Sequence, residues 1–140
     1  MILQKNCLTP EIYTYLRNAV GWSNYSNAQV IEALKKECFD IVAYQNEQAV
    51  GMARVIGDGI YYMLVDVVVH PSAWHQGIGS AIIKEVISEI RSRLKPEGRC
   101  SLLLVSVQGK ESFYRQFGFK EIPDVTSGQG MQLKLWHIEE

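Results

Sequence analysis

Two glycines one residue apart, Gly77 and Gly79, stand between an apolar stretch, LVDVVV, and a run with apolar residues at helical spacing. The apolar stretch, inside a segment from Ile60 to Val69, reads as a strand. In the run that follows, Ile82, Ile83, Val86, Ile87, Ile90 and Leu94 make one stripe, with Lys84, Glu85, Ser88, Glu89 and Arg91 opposite. Pro96 and Gly98 stop that helix, and a near-continuous apolar strand, Cys100 to Val107, follows, as in a strand buried on both faces. Strand, helix and strand in this order make a β-α-β unit, which requires parallel strands and a right-handed crossover.

The glycines sit where the first strand hands over to the helix. N–H groups in a helix's first turn have no partner inside the helix and are slightly positive. Such a junction is a seat for a phosphate. A tight turn without any ligand uses glycine equally well. Two familiar phosphate loops do not fit. A dinucleotide fingerprint needs a third glycine where Ile82 stands, and Gly109-Lys110-Glu111 lacks both the hydroxyl residue and the spacing of a P-loop.

Upstream, Thr9-Pro10-Glu11 has the order of a helix start: a hydroxyl cap, proline at the first helical position, then an acid. Ile12, Leu16 and Val20 continue it until Gly21. A second helix starts near Ser26 or Asn27 and carries Val30, Ile31 and Leu34 on one face. Strands follow at Phe39–Tyr44 and Ala49–Ile56, joined by a turn at Asn46. After the β-α-β unit come a short helix, from Lys110 to Gln116, and strands at Phe119–Ile122 and Met131–Trp136.

A chain of 140 residues, 47% apolar, fits one domain with a real core. Lys and Arg number 14 against 15 Asp and Glu, so no basic surplus exists to hold a nucleic-acid backbone. No apolar run approaches the roughly 18 residues that span a membrane. The opening MILQKNCLTPE lacks a signal-peptide pattern. Cys7, Cys38 and Cys100 are scattered, and with His70, His75 and His137 they show no metal-ligand spacing. No metal is expected, and a reducing cytoplasm is the expected compartment.

The run VVVHPSAWHQGIGSAIIKEVI resembles the cofactor motif of the GNAT N-acetyltransferase superfamily, Q/R-x-x-G-x-G/A between the fourth strand and the third helix. Gly77, Ile78 and Gly79 match its G-x-G. Downstream, ESFYRQFGF is similar to the family's second marker, an aromatic-Tyr pair shortly before Gly-Phe. The resemblance covers essentially the whole chain. It departs at one place: Trp74 stands where the family has Gln or Arg, with Gln76 as a partial replacement.

The resemblance implies a single α/β (α+β) domain over residues 1–140. Its mixed, mostly antiparallel sheet would have about seven strands flanked by about four helices, in the order β-α-α-β-β-β-α-β-α-β-β. It implies that acetyl-CoA, as acetyl donor, lies between the fourth and fifth strands. The backbone of Val67, Val68 and Val69 would pair with the pantetheine arm. Amides of His75, Gln76, Gly77, Ile78, Gly79 and Ser80 would cradle the pyrophosphate, and Trp74 would pack on the cofactor.

Acetyl transfer to an amine needs a route for the amine's proton, an N–H facing the thioester oxygen, and a proton for the departing thiolate. By the resemblance, a backbone amide near Val67 is the N–H donor and Tyr114 the acid; in isolation Tyr114 reads equally as a packing residue beside Phe113. Asp66, the one acid in the apolar strand, reads either as a base acting through water or as a partner for a backbone group or an ion pair. Trp22, Tyr25 and Arg54 are candidates to face the acceptor, against ordinary packing or a solvated charge. Lys110 reads as a contact to a CoA phosphate or as a solvated lysine. The expected substrate is a primary amine of a small molecule. The alternatives are a protein or peptide amine, or a CoA-binding module without catalysis. No nucleic acid or membrane partner is expected, and the apolar Met131–Trp136 edge suggests a homodimer.

Overall fold

The Thr9 hydroxyl accepts from the Ile12 N–H at 3.2 Å and starts α1, Pro10–Ala19. Ser26 does the same for Gln29 at 3.2 Å and starts α2, Asn27–Lys36. The Thr9 cap is as the sequence predicts, and of the two starts left open for the second helix, Ser26 is the cap and Asn27 the first helical residue. In this computed structural model, which describes residues 1–137, the chain forms two compact units, Met1–Val105 and Ser106–Glu140.

The first unit holds a five-stranded sheet in the order β1-β2-β3-β4-β5: Ile2–Lys5, Phe39–Gln45, Gln48–Gly57, Tyr61–Val69 and Ser101–Leu103. β1 to β4 pair antiparallel in sequence. β4 and β5 pair parallel, around the crossover helix α3, Ile78–Arg93. The expected parallel pairing of the two strands around a helix therefore holds.

Strand alternation divides the core between two faces of the sheet. On one face Val42, Met52 and Val68 pack with Leu8, with Tyr13 and Leu16 of α1 and with Val30 of α2. On the other lies α3, whose Ile82, Ile83 and Val86 are fully buried. Gly51 lets this helix approach: a Cβ there would lie 3.0 Å from Ile82 Cδ1 and 3.3 Å from Ile78 Cγ2.

The second unit contains a short helix, α4, Glu111–Arg115. Its aromatic residues pack edge to face, with Phe113 5.3 Å from Phe117 and Tyr114 5.9 Å from Phe119. The strands expected at 119–122 and 131–136 are not formed among the described residues, so the sheet has five strands and not seven. Apolar alternation marks a strand only when a ladder partner supplies its hydrogen bonds. Here Leu133 and Leu135 are 81% and 83% exposed. β5 is likewise shorter and less buried than its composition predicts, because burial of a strand depends on what packs over it.

Ile82→Ala is expected to cost about 2–5 kcal/mol, since the side chain is fully buried between α3 and β3 and its removal leaves a cavity. Urea denaturation measures it; a loss below about 1 kcal/mol would mean that α3 collapses onto the sheet unaided.

Candidate active site

The β3–β4 ladder slips in the middle. Met52 pairs with Val68, but Arg54 pairs with Val65, so β4 has one residue more than β3 between these pairs. The extra residue makes a bulge, and Asp66 has φ +54, a left-handed conformation that Asp tolerates better than most residues. The slip turns the Asp66 side chain towards Arg54, on the α1 side of the sheet.

Three donors meet Asp66 there. The Arg17 Nη1 donates to Oδ1 at 2.6 Å, the Arg54 Nε to Oδ2 at 3.0 Å, and the Tyr13 hydroxyl to Oδ2 at 2.9 Å. Of the two sequence readings of Asp66, the geometry displays the ion pair. Charge-assisted bonds of this kind are the strong ones. Arg17 is itself buried, 8% exposed, and its Cζ lies 5.2 Å from both the Trp22 and Tyr25 rings and 5.4 Å from Tyr13. Trp22, Tyr25, Arg54 and Asp66, four of the candidates, are thus joined around Arg17. Burial, with the Asp66 carboxylate and its hydrogen bond, pushes the Tyr13 phenol up to about 12, so Tyr13 remains a donor at physiological pH.

The bulge also changes which backbone groups face the outer edge. Below it, the Ile60 carbonyl accepts from Ser101 of β5 at 2.9 Å. Above it, His70 N–H donates to the Val50 carbonyl at 2.7 Å, so Val68 and His70 turn their groups to β3. Val67 and Val69 therefore turn theirs outward. Of the three valines expected to offer backbone to an added strand, Val68 instead engages β3. β5 follows β4 only from Tyr61↔Ser101 to Met63↔Leu103, and the pairing stops before Val67.

Beyond Val69 the chain passes through a single turn of 3-10 helix, Pro71–Ala73, into the glycine loop. The Trp74 Nε1 donates to the outward Val69 carbonyl at 2.7 Å and ties loop to strand. Gln76 accepts from Gln45 at 2.6 Å. His75 and Gly77 have φ +65 and +77. A Cβ on Gly77 would meet nothing within 4 Å, so glycine serves the backbone conformation there and not close packing. No side chain caps α3, which leaves the first-turn amides, with Gly79 and Ser80 among them, open to an anion. Ile78 buries its side chain and has only backbone to offer.

Tyr114 and Lys110 lie in the second unit, on α4 and just before it. Tyr114 stands edge-on to Phe113 at 5.0 Å, and burial raises its phenol above the ordinary 10.0. Sequence reasoning missed Tyr13, Arg17 and Glu37. One signal was available: Tyr13 and Arg17 share a helix face with buried Leu16 in α1. Among the described residues no three His, Cys, Asp or Glu side chains are grouped as metal ligands. No helix among them is long and apolar enough to cross a membrane.

Residues 36–121 match the acetyltransferase (GNAT) domain family. The chain is 33% identical over 113 residues, 79% of its length, to a chloroplast GCN5-related N-acetyltransferase 1 of Arabidopsis thaliana. It spans about half of that relative, 55%. A GNAT-family acetyltransferase structure from Streptococcus pneumoniae superposes with a TM-score of 0.77 at 26% identity, over 99% of this chain and 98% of that one. An aminoglycoside 6'-N-acetyltransferase solved with coenzyme A shares the fold, with a TM-score of 0.57 at 20% identity over 66% of this chain and 57% of its own.

One titration follows from the site. The Glu37 carboxylate lies 3.4 Å from Arg54 Nη1, yet burial and the neighbouring Asp40 push its pKa from the ordinary 4.5 up to about 8. The folded protein then binds more protons than the unfolded chain between about pH 4.5 and 8, so stability falls as pH rises through that window. Glu37→Gln, which keeps hydrogen-bonding capacity but cannot titrate, is expected to flatten this fall and to be the more stable form above the window. Urea midpoints from about pH 5 to about pH 9 decide it. Parallel profiles for the two proteins would place the slope elsewhere.

Proposed function

The chain belongs to the acetyltransferase (GNAT) domain family, and on that premise we propose that it is an enzyme transferring the acetyl group of acetyl-CoA directly to a primary amine of a small molecule. The observation that carries this reading is the outward turn of Val67 and Val69 where β5 stops following β4. This is an edge to which an extended pantetheine arm adds as a strand does.

Acetyl-CoA supplies an activated thioester whose oxygen becomes more negative as the amine attacks. With acetyl-CoA bound, the outward Val67 N–H would be the donor to that oxygen. The amides of residues 75–80, freed by the left-handed His75 and Gly77, hold the pyrophosphate. Trp74, its Nε1 tied to the edge of β4 and its ring half-exposed, packs along the cofactor. Tyr114, with a raised pKa, keeps its proton until the thiolate leaves and then gives it up. Asp66 has both oxygens engaged by Arg17, Arg54 and Tyr13, so the amine's proton leaves through water while Asp66 anchors the site. Trp22 and the exposed Tyr25 offer aromatic surface to the acceptor.

The same reading covers the whole chain as a single domain and a reducing, cytoplasmic setting, in keeping with three free cysteines. A homodimer would cover the exposed Leu133 and Leu135.

Calorimetry is expected to show acetyl-CoA binding more tightly than NAD or ATP, and a panel of polyamines, aminoglycosides, arylalkylamines, amino acids and peptides is expected to contain an amine that releases CoA. Tighter binding of NAD or ATP sinks the reading. Binding without release from any amine leaves a CoA-binding module.

Tyr114→Phe keeps the ring and its edge contacts and removes only the hydroxyl. Positioned acids contribute roughly 10²- to 10⁴-fold, and a thiolate is already a fair leaving group, so turnover is expected to fall about a hundredfold. The Michaelis constant for acetyl-CoA should move by less than about threefold. Steady-state kinetics of both forms test this, and equal turnover would make Tyr114 a packing residue.

A further inference from the structure

We infer that Arg17 is a positioning residue that couples the α1–α2 loop, on the acceptor side, to the β4 bulge that aims the Val67 N–H. The inference rests on the acetyltransferase reading.

One planar guanidinium holds two anchors. Its Nη1 binds Asp66 at the bulge at 2.6 Å, and its Nη2 binds the Ser23 carbonyl in the loop at 2.5 Å. The Trp22 N–H returns to the Arg17 carbonyl at 3.0 Å, and the rings of Trp22 and Tyr25 flank the guanidinium. Asn24 bonds Asn18 in the same loop, but that bond stays within the α1 end and does not reach the sheet. Arg17 Nε is buried without a partner among the described residues, at a cost that plain packing would have avoided.

Asp66 needs such a hold because its left-handed backbone is strained and persists only where its surroundings over-determine it. Arg54 fixes it from within the sheet. Tyr13 fixes it from α1 without touching the loop's backbone. Arg17 alone among these three donors also grips the loop. A shift of Ser23 therefore pulls on the group that orients Asp66, and through the bulge on Val67.

Lysine keeps the charge but has no rigid fork with which to hold two anchors. For Arg17→Lys, kcat is expected to fall about tenfold to a hundredfold, as for a slight misplacement of reacting groups. The acceptor KM should rise several-fold while that for acetyl-CoA stays within about twofold. Hydrogen–deuterium exchange should quicken in both 20–26 and 64–70 and remain unchanged in β1 and β2. Tyr13→Phe should quicken exchange in 64–70 only and lower kcat without moving the acceptor KM. Faster exchange in 20–26 alone for Arg17→Lys, or an equal effect of both variants on the loop, overturns the coupling. If the wild type acetylates no amine, the enzymatic reading has failed, and the exchange comparison still decides whether Arg17 links the two segments.

Discussion

Three donors from two elements converge on one carboxylate, and the arrangement of the site depends on that convergence. Asp66 sits where β4 carries an extra residue, in a backbone conformation of order 1–3 kcal/mol above an ordinary strand. Arg17, Arg54 and Tyr13 offset that strain with charge-assisted and phenolic hydrogen bonds. Asp66 faces α1 through them, and β4 beyond it is unpaired by β5, whose pairing ends at Met63↔Leu103.

Placing two guanidiniums and two carboxyls in a shielded layer is costly unless every charge is answered. Arg17 and Asp66 face each other with only 9% and 10% of their side chains exposed, and Arg54 spans Asp66 and Glu37. Glu37 meets the cost differently, by holding its proton beside Asp40 up to about pH 8. The layer is then held by hydrogen bonds as much as by opposite charges. Truncating Arg17 or Asp66 would strand a shielded charge, so its expected cost exceeds that of a single bond.

The first unit was readable from sequence because its signals are local. Thr9 and Ser26 cap the helices they precede, Gly77 takes the left-handed turn at the strand–helix junction, and the Ile82–Ile90 stripe finds the sheet. The second unit was less so. Its expected strands at 119–122 and 131–136 need partners that no local pattern supplies, and the described chain there is not in a ladder. At the site, Asp66 was visible as an acid in an apolar strand, whereas nothing local to Arg17 marks it as the partner of an acid 49 positions away.

By itself, the sequence determined the Thr9 cap, the glycine junction and the family motifs, each built from residues within a few positions of one another, and the crossover unit, from the order of strand, helix and strand. Only the tertiary structure decided which way Asp66 points. Strict alternation would put residues 64, 66 and 68 on one face; the bulge sends Asp66 and Val68 to the α1 side and returns Val67 to the outer edge. Such a slip is chosen by what waits across the sheet. The buried Arg17 of α1 and the largely shielded Arg54 of β3, both distant in sequence, offset the strain of the Asp66 backbone.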